Sequence, residues 1–125
     1  MKAKIMSILL ALIFLASGLA KLASLEFELV AFERWGYPIW FMYLIGVIEV
    51  GGGVGLLIQR FSAAVSAALA LMMIGAIGTH VIHSEWTTLA VASVIFLMSA
   101  GRAYLGWEDM RMLIAHLTKP KSSTQ

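Results

Sequence analysis

The chain reads as an all-α integral membrane protein: a four-helix bundle of up-down-up-down topology, followed by a short cytoplasmic amphipathic C-terminal helix. Three observations predict this. Of its 125 residues, 61% are hydrophobic and only 13% charged, which lies outside the soluble globular range. Four apolar runs, Ile5 to Leu25, Ile39 to Ile58, Ala63 to Ile82 and Leu89 to Leu105, each approach the roughly 20 residues a helix needs to cross hydrocarbon. The runs are rich in Leu, Ala, Met and Gly and lack the period of two expected of barrel strands. Residues 1–118 are expected to form one domain, with 119–125 a polar tail.

The first run carries Lys2 and Lys4 ahead of it and small residues at Gly18 and Ala20, a pattern shared with secretory signal peptides. Its apolar character continues through Leu22 and Leu25, so we read it as a retained first helix. The long connection from Ser24 to Pro38 places Leu25, Leu29 and Phe32 at i, i+4 and i+7, predicting a helical stretch that either prolongs the first helix or lies on the outer membrane surface. Gly36-Tyr37-Pro38 predicts a turn before the second span, because proline disfavours helical backbone in the preceding residue. Gln59-Arg60 and His83-Ser84-Glu85 are short links, which makes consecutive helices antiparallel neighbours. From Trp107 to Leu117, Met110, Leu113, Ile114 and Leu117 share one face, opposite Glu108, Asp109, Arg111 and His116. That is the pattern of a helix lying in the membrane interface.

Basic residues set the expected orientation. Lys2, Lys4, Arg60, Arg102, Arg111, Lys119 and Lys121 fall on one side of the spans, whereas Glu26, Glu28, Glu33 and Glu85 fall on the other. The positive-inside tendency puts both termini in the cytoplasm of a bacterial cell, with the protein in the inner membrane. Trp35, Tyr37, Trp40, Tyr43 and Trp86 supply an outer aromatic belt, and Tyr104 and Trp107 an inner one. Arg102 is expected to anchor the fourth span among phosphates and carbonyls. The net charge of +2 suits anionic lipid headgroups and gives no indication of nucleic acid. Cysteine is absent, which excludes a disulfide relay, a thiolate nucleophile and cysteine-ligated clusters.

Glu49 is the most informative residue. It sits near the middle of the second apolar run, where a carboxylate carries an insertion cost of roughly 2.5 to 3.5 kcal/mol and normally faces a cavity or the bundle interior. Gly46 and Gly53 share its helix face, and Gly51 and Gly55 add a Gly-x-x-x-Gly spacing. Such glycines admit a close neighbour, most simply another helix. Lys21 lies on one face of the first helix with Ser17 and Gly18; it either pairs with Glu49 or extends its stem to the interface. His80 stands near the outer end of the third span. His83 follows at i+3 and the pair could supply two metal ligands, but a site would need a third and fourth, from Glu49, Glu85 or a loop carboxylate, and none is expected. Thr88, Ala92, Ile95, Ser99 and Arg102 form a small and polar stripe expected to face inward. The eight methionines read as adaptable packing.

Taken in order, Leu15-Ala16-Ser17-Gly18-Leu19-Ala20-Lys21-Leu22, Trp35-Gly36-Tyr37-Pro38, Ile45-Gly46-Val47-Ile48-Glu49-Val50-Gly51-Gly52 and Gly75-Ala76-Ile77-Gly78-Thr79-His80 resemble the DoxX family, and within it the small DoxX-like branch. The resemblance implies a four-helix membrane bundle and directs attention to Lys21, Glu49 and His80. It also implies association with membrane redox or oxidative-stress complexes. The family takes its name from a subunit of a thiosulfate:quinone oxidoreductase, and animal relatives act in receptor assembly.

The leading functional expectation is a pocket for a small lipophilic molecule, with a quinone as the candidate cofactor. Glu49, His80 and Lys21 are the candidate catalytic residues, and Tyr43, Gly46, Gly53 and Ser17 the candidate cofactor-binding ones. A quinone needs a flat apolar slot, hydrogen-bond donors at its carbonyls and titratable groups for its protons. Any catalysis would be that of a subunit of a quinone-linked oxidoreductase. Two other classes compete: a structural or assembly subunit whose glycine face receives a partner protein or a second copy, and a small transporter or proton pathway built on the midplane carboxylate.

Overall fold

The computed structural model describes residues 2–118, so the expected polar tail at 119–125 lies outside the described residues. The order is α1 (Lys2–Leu22), α2 (Glu26–Trp35), α3 (Ile39–Leu56), α4 (Ser62–Ile82), α5 (Trp86–Leu105) and α6 (Trp107–Thr118), with no strand among the described residues. Helices α1, α3, α4 and α5 are each long and apolar enough to span a membrane. Their buried and exposed sets are inverted relative to a soluble domain. Leu12, Val47, Leu71 and Leu97 face outward, while Ser7, Lys21, Glu49, Ser66, His80, Ser99 and Arg102 are buried. The chain is a helical membrane bundle.

Helix α2 does not prolong the first span. Ser24 takes a left-handed backbone (φ 55°), the Leu25 N–H returns to the Ala20 carbonyl, and the chain folds back over the end of the bundle, burying Glu28 and Phe32. The same turn ends α4: Ser84 has φ 56° and the Glu85 N–H returns to the His80 carbonyl. Gly36 closes α2 at φ +81°, with its own N–H on the Glu33 carbonyl and that of Tyr37 on the Phe32 carbonyl. This left-handed cap suits glycine.

The four spans form two close pairs, α1 with α3 and α4 with α5; contacts between the pairs are sparser. Glycine explains the first pair. A Cβ on Gly18 would stand 2.8 Å from the Gly46 carbonyl oxygen and 2.9 Å from the Val50 nitrogen, and one on Gly53 would meet Leu15 at 2.6 Å. The glycine face of α3 therefore receives the first helix of its own chain. Between the pairs, α3 and α4 approach at Gly52 with Leu69 and at Gly55 with Val65, toward the end bearing Arg60. Leu10, Ala11, Phe14, Leu56, Leu69, Met73 and Ala92 join as one core.

Three residues expected at the interfaces turn inward, among them Tyr37, which is half-buried and bonds Thr79. Arg102 is 1% exposed and its Nε donates to the Ser7 hydroxyl, so it belongs to the inward stripe of α5 and does not reach the headgroups. Trp35 is half-buried and donates to Glu85, whereas Trp40, Trp86, Tyr104 and Trp107 remain exposed as belt residues. Helix α6 buries no residue fully, and its Met110 and Leu113 are half-buried.

Substitution at the α1–α3 seam should separate tight glycines from free ones. Gly18→Ala is expected to destabilise by about 1 to 3 kcal/mol, because backbone atoms on α3 cannot yield to the new methyl. Gly51→Ala, where a Cβ meets nothing within 4 Å, should be neutral or slightly stabilising. Thermal melts in detergent would read the difference, and equal effects would contradict the seam.

Candidate functional site

The sparse contact between the two pairs leaves a cavity of about 690 Å³ at the acidic end of the bundle. Ser17 and Lys21 of α1, Glu49 and Ile45 of α3, Thr79 and His80 of α4, and Thr88 and Val91 of α5 line it, and Phe27, Glu28, Phe32 and Trp35 of α2 close over it. Its walls are mostly aliphatic and aromatic. Leu71 and Val91 belong both to this lining and to the lipid-facing surface, so the cavity reaches the bilayer side of the bundle.

Lys21 organises one wall. Its ammonium lies 3.0 Å from Glu49 Oε1 and 3.3 Å from Glu28 Oε2, and it donates to the Ser17 hydroxyl at 2.8 Å. Ser17 in turn donates to Glu49 Oε1 at 3.0 Å. The ammonium thus hydrogen-bonds Ser17 and Glu28 and stands in ion-pair contact with Glu49. Lys21 pairs and does not extend to the interface, because α2 folds over it and places a second carboxylate within reach. The Ser17 hydrogen bond and the Lys21 ion pair both fall on Glu49 Oε1, leaving Oε2 without a protein partner among the described residues.

A second wall centres on Glu85. His80 Nδ1 lies 2.8 Å from Glu85 Oε1, Trp35 Nε1 donates to the same oxygen at 3.0 Å, and Arg34 engages Oε2. With Glu85 acting as acceptor, the proton at this contact sits on Nδ1, and Nε2 of His80 is left for the cavity it lines. Burial works against the Glu85 charge, but the hydrogen bonds from His80, Trp35 and Arg34, together with the Arg34 charge, outweigh it and hold the carboxyl below its ordinary value. Between the walls, Thr79 gives its hydroxyl proton to the Gly75 carbonyl at 3.0 Å, so at the 2.8 Å contact with Tyr37 the tyrosine is the donor.

Of the residues expected at the site, Lys21, Glu49, Ser17 and His80 line this cavity, although His80 bonds Glu85 and not Glu49. Gly46 and Gly53 do not line it; they are occupied by α1 at the helix seam. Tyr43 bonds Ser24 outside the lining, and Tyr37 stands where a tyrosine was expected. Tyr43 precedes Glu49 by six positions, about 120° round the helix, so it points elsewhere. His83 turns to the Thr79 carbonyl, so the two histidines do not converge. Sequence reasoning left Glu28, Trp35, Tyr37 and Glu85 out of the site because nothing local says that α2 folds back; the spacing of Leu25, Leu29 and Phe32 indicated a helix but not its direction.

Residues 5–101 match the DoxX-like family. The chain belongs to the DoxX-like family. It is also 26% identical over 98 residues to an uncharacterised protein of Bacillus subtilis (strain 168), YdgD, covering 74% of this chain and 86% of that one. No solved structure matches the chain. In this DoxX-like protein, Lys21 lies in one matched stretch with Glu28, Glu49, His80 and Glu85, so the whole acidic-end site falls inside the family match.

Two measurements test the site's electrostatics. Lys21→Met leaves two carboxylates without their cation and should cost about 3 to 5 kcal/mol. Glu49→Gln, whose amide oxygen still accepts from Ser17 and Lys21, should cost clearly less. Unfolding in micelles would rank them, and the reverse order would exclude Lys21 as the hub. For Glu85, a folded-state value below the ordinary one means that its contribution is complete above the ordinary carboxylate range and is lost as pH falls through the lower folded value. Protection of the α2 amides, exchange measured against the intrinsic rate at each pH, should therefore hold at neutral pH and fall below about pH 4.5, the ordinary value, while Glu85→Gln should lower it already at pH 7 with a loss of about 1 to 3 kcal/mol.

Proposed function

We propose that this membrane protein holds the head group of a small lipophilic molecule, with a quinone the best fit, in the acidic-end cavity in support of membrane redox or oxidative-stress chemistry. The carrying observation is the pairing of an apolar cavity of about 690 Å³ with two lining residues that each keep a polar atom without a protein partner, Glu49 Oε2 and His80 Nε2. An aromatic head group fits among Phe27, Phe32, Phe41 and Ile45, and a cavity lined in part by lipid-facing Leu71 and Val91 suits entry from the bilayer.

The polar atoms suit both states of such a ligand. A quinone carbonyl needs a donor, which a protonated Glu49 or His80 supplies; a hydroquinone hydroxyl needs an acceptor, which the same two groups supply when deprotonated. Glu28 and Glu49 share one ammonium, so this trio is electrically neutral only with one further proton on its carboxylates. Without cysteine, the chain contributes binding and proton handling, and the electrons come from a partner protein. In this reading the basic end faces the cytoplasm of a bacterial inner membrane, which places the cavity toward the outer side.

The glycine face of α3 is filled by α1, which weakens the reading as a receptor for another protein's helix. Leu10, Leu56 and Leu69 fill the core below the cavity, which weakens the reading as a continuous pathway. Mass spectrometry of protein purified with native lipid should find close to one quinone per chain, and a short-chain quinone should raise the melting temperature of the delipidated protein. Glu49→Leu and His80→Leu, which remove the polar atoms, should each weaken that response about tenfold, the scale of one lost hydrogen bond to a buried partner. Absence of quinone together with an unchanged melting temperature would defeat the proposal.

A further inference from the structure

The opposite end of the bundle carries a different unpaired charge. Arg102 is 1% exposed; its Nε donates to the Ser7 hydroxyl, but Nη1 and Nη2 have no hydrogen-bond partner. The Ser66 and Ser99 hydroxyls, on α4 and on α5 one turn from Arg102, are buried and unpartnered as well. A guanidinium carries five N–H donors and no acceptor, and leaving a buried charge uncompensated is costly.

The neighbouring backbone adds to the same sign. A Cβ on Gly106 would stand 2.5 Å from Ala63 Cβ and 2.6 Å from Arg102 Nη1, so the guanidinium lies beside the first turn of α4. That terminus has no side-chain cap. Ser62 and Val65 N–H reach the Ile58 and Phe61 carbonyls, while those of Ala63 and Ala64 have no acceptor among the described residues. A helix N-terminus is a positive dipole end with donors directed outward. No acidic residue occurs in α1, in the turn before α4, in α4 or in α5, and Glu108 and Asp109 of α6 are exposed.

We propose that the Arg102 guanidinium and the α4 N-terminus together form a site for a phosphate-type oxyanion. Such an anion has several acceptor oxygens, matching the planar donor fork of arginine and the free N–H groups of Ala63 and Ala64. Gly106 lets Ala63 and the guanidinium pack side by side, since a side chain there would collide with both. The anion is either free phosphate or the phosphate of a lipid headgroup.

Detergent-washed protein should melt about 4 °C or more higher in millimolar phosphate than in chloride at equal ionic strength, with Arg102→Gln abolishing the shift. That result assigns the site to free phosphate. If phosphate is without effect but a short-chain anionic phospholipid stabilises the wild type, a phosphate-free glycolipid does not, and Arg102→Gln removes the response, the headgroup is the source. No shift with either, or the same shift in the variant, overturns the proposal. Should Arg102→Gln fail to fold, equilibrium binding to the wild type decides: about one radiolabelled phosphate or one retained phospholipid per chain upholds it, and neither overturns it.

Discussion

In a medium that solvates ions poorly, a charged side chain is tolerated only where the chain itself supplies the partners water would have supplied. The acidic end of this protein is organised around that constraint. Lys21 lies beneath α2, and its ammonium takes Ser17 from its own helix, Glu49 from α3 and Glu28 from α2. Three helices are thereby tied to one cation. The position of α2 follows from the same contact, because Glu28 is the residue of that helix that reaches inward to the ammonium, with Phe32 buried beside it. Glu85 repeats the arrangement with the sign reversed: one carboxylate gathers His80 of α4 with Arg34 and Trp35 of α2.

These two polar centres explain why a cavity persists in a small bundle. A bundle this short would ordinarily fill its interior by drawing all four spans together. Here the glycine seam draws α1 onto α3 so closely that carbonyl and Cα approach directly, and α4 and α5 pair separately. The two pairs meet through Leu10, Phe14, Leu56, Leu69 and Met73 and part toward the acidic end, where α2 bridges them. The cavity is thus a consequence of unequal packing, and its polar rim results from the ionic contacts that hold α2 across the gap.

How much of this was legible in the sequence depended on whether the signal was local. The spans were readable because hydropathy is a property of consecutive residues, and Glu49 because a lone carboxylate in an apolar run has no bland explanation. Lys21 could be placed on the correct face but not assigned a partner, since that choice rests on the turn at Ser24, a serine in a backbone region that serine does not announce. Glu28 and Glu85 could be placed on the outer side but not given partners for the same reason. Arg102 shows the opposite failure: its register with Ser99, Ala92 and Thr88 marked it as inward, yet the habit of arginines near helix ends suggested the headgroups. The register was the better guide. Tyr43 and Tyr37 differ only in facing, which the 100° step between successive residues resolves for the first but which depends on the Gly36 cap for the second.

The charge left over at each end has a common origin. The acidic end holds two carboxylates against one ammonium around the cavity; the basic end holds a guanidinium and an uncapped helix terminus against no carboxylate. Moving one glutamate toward Arg102 would have neutralised both ends, but such a pair would gain little over an apolar core and would close each end to anything else. An unbalanced buried charge persists only where a proton, an ion or a polar ligand completes it under working conditions. The two imbalances differ in chemistry as well as in sign. At the acidic end two carboxylates share one ammonium beside an apolar slot, the setting of the proposed head-group site. At the basic end the deficit is a whole negative charge facing fixed donors, which suits a ligand that stays.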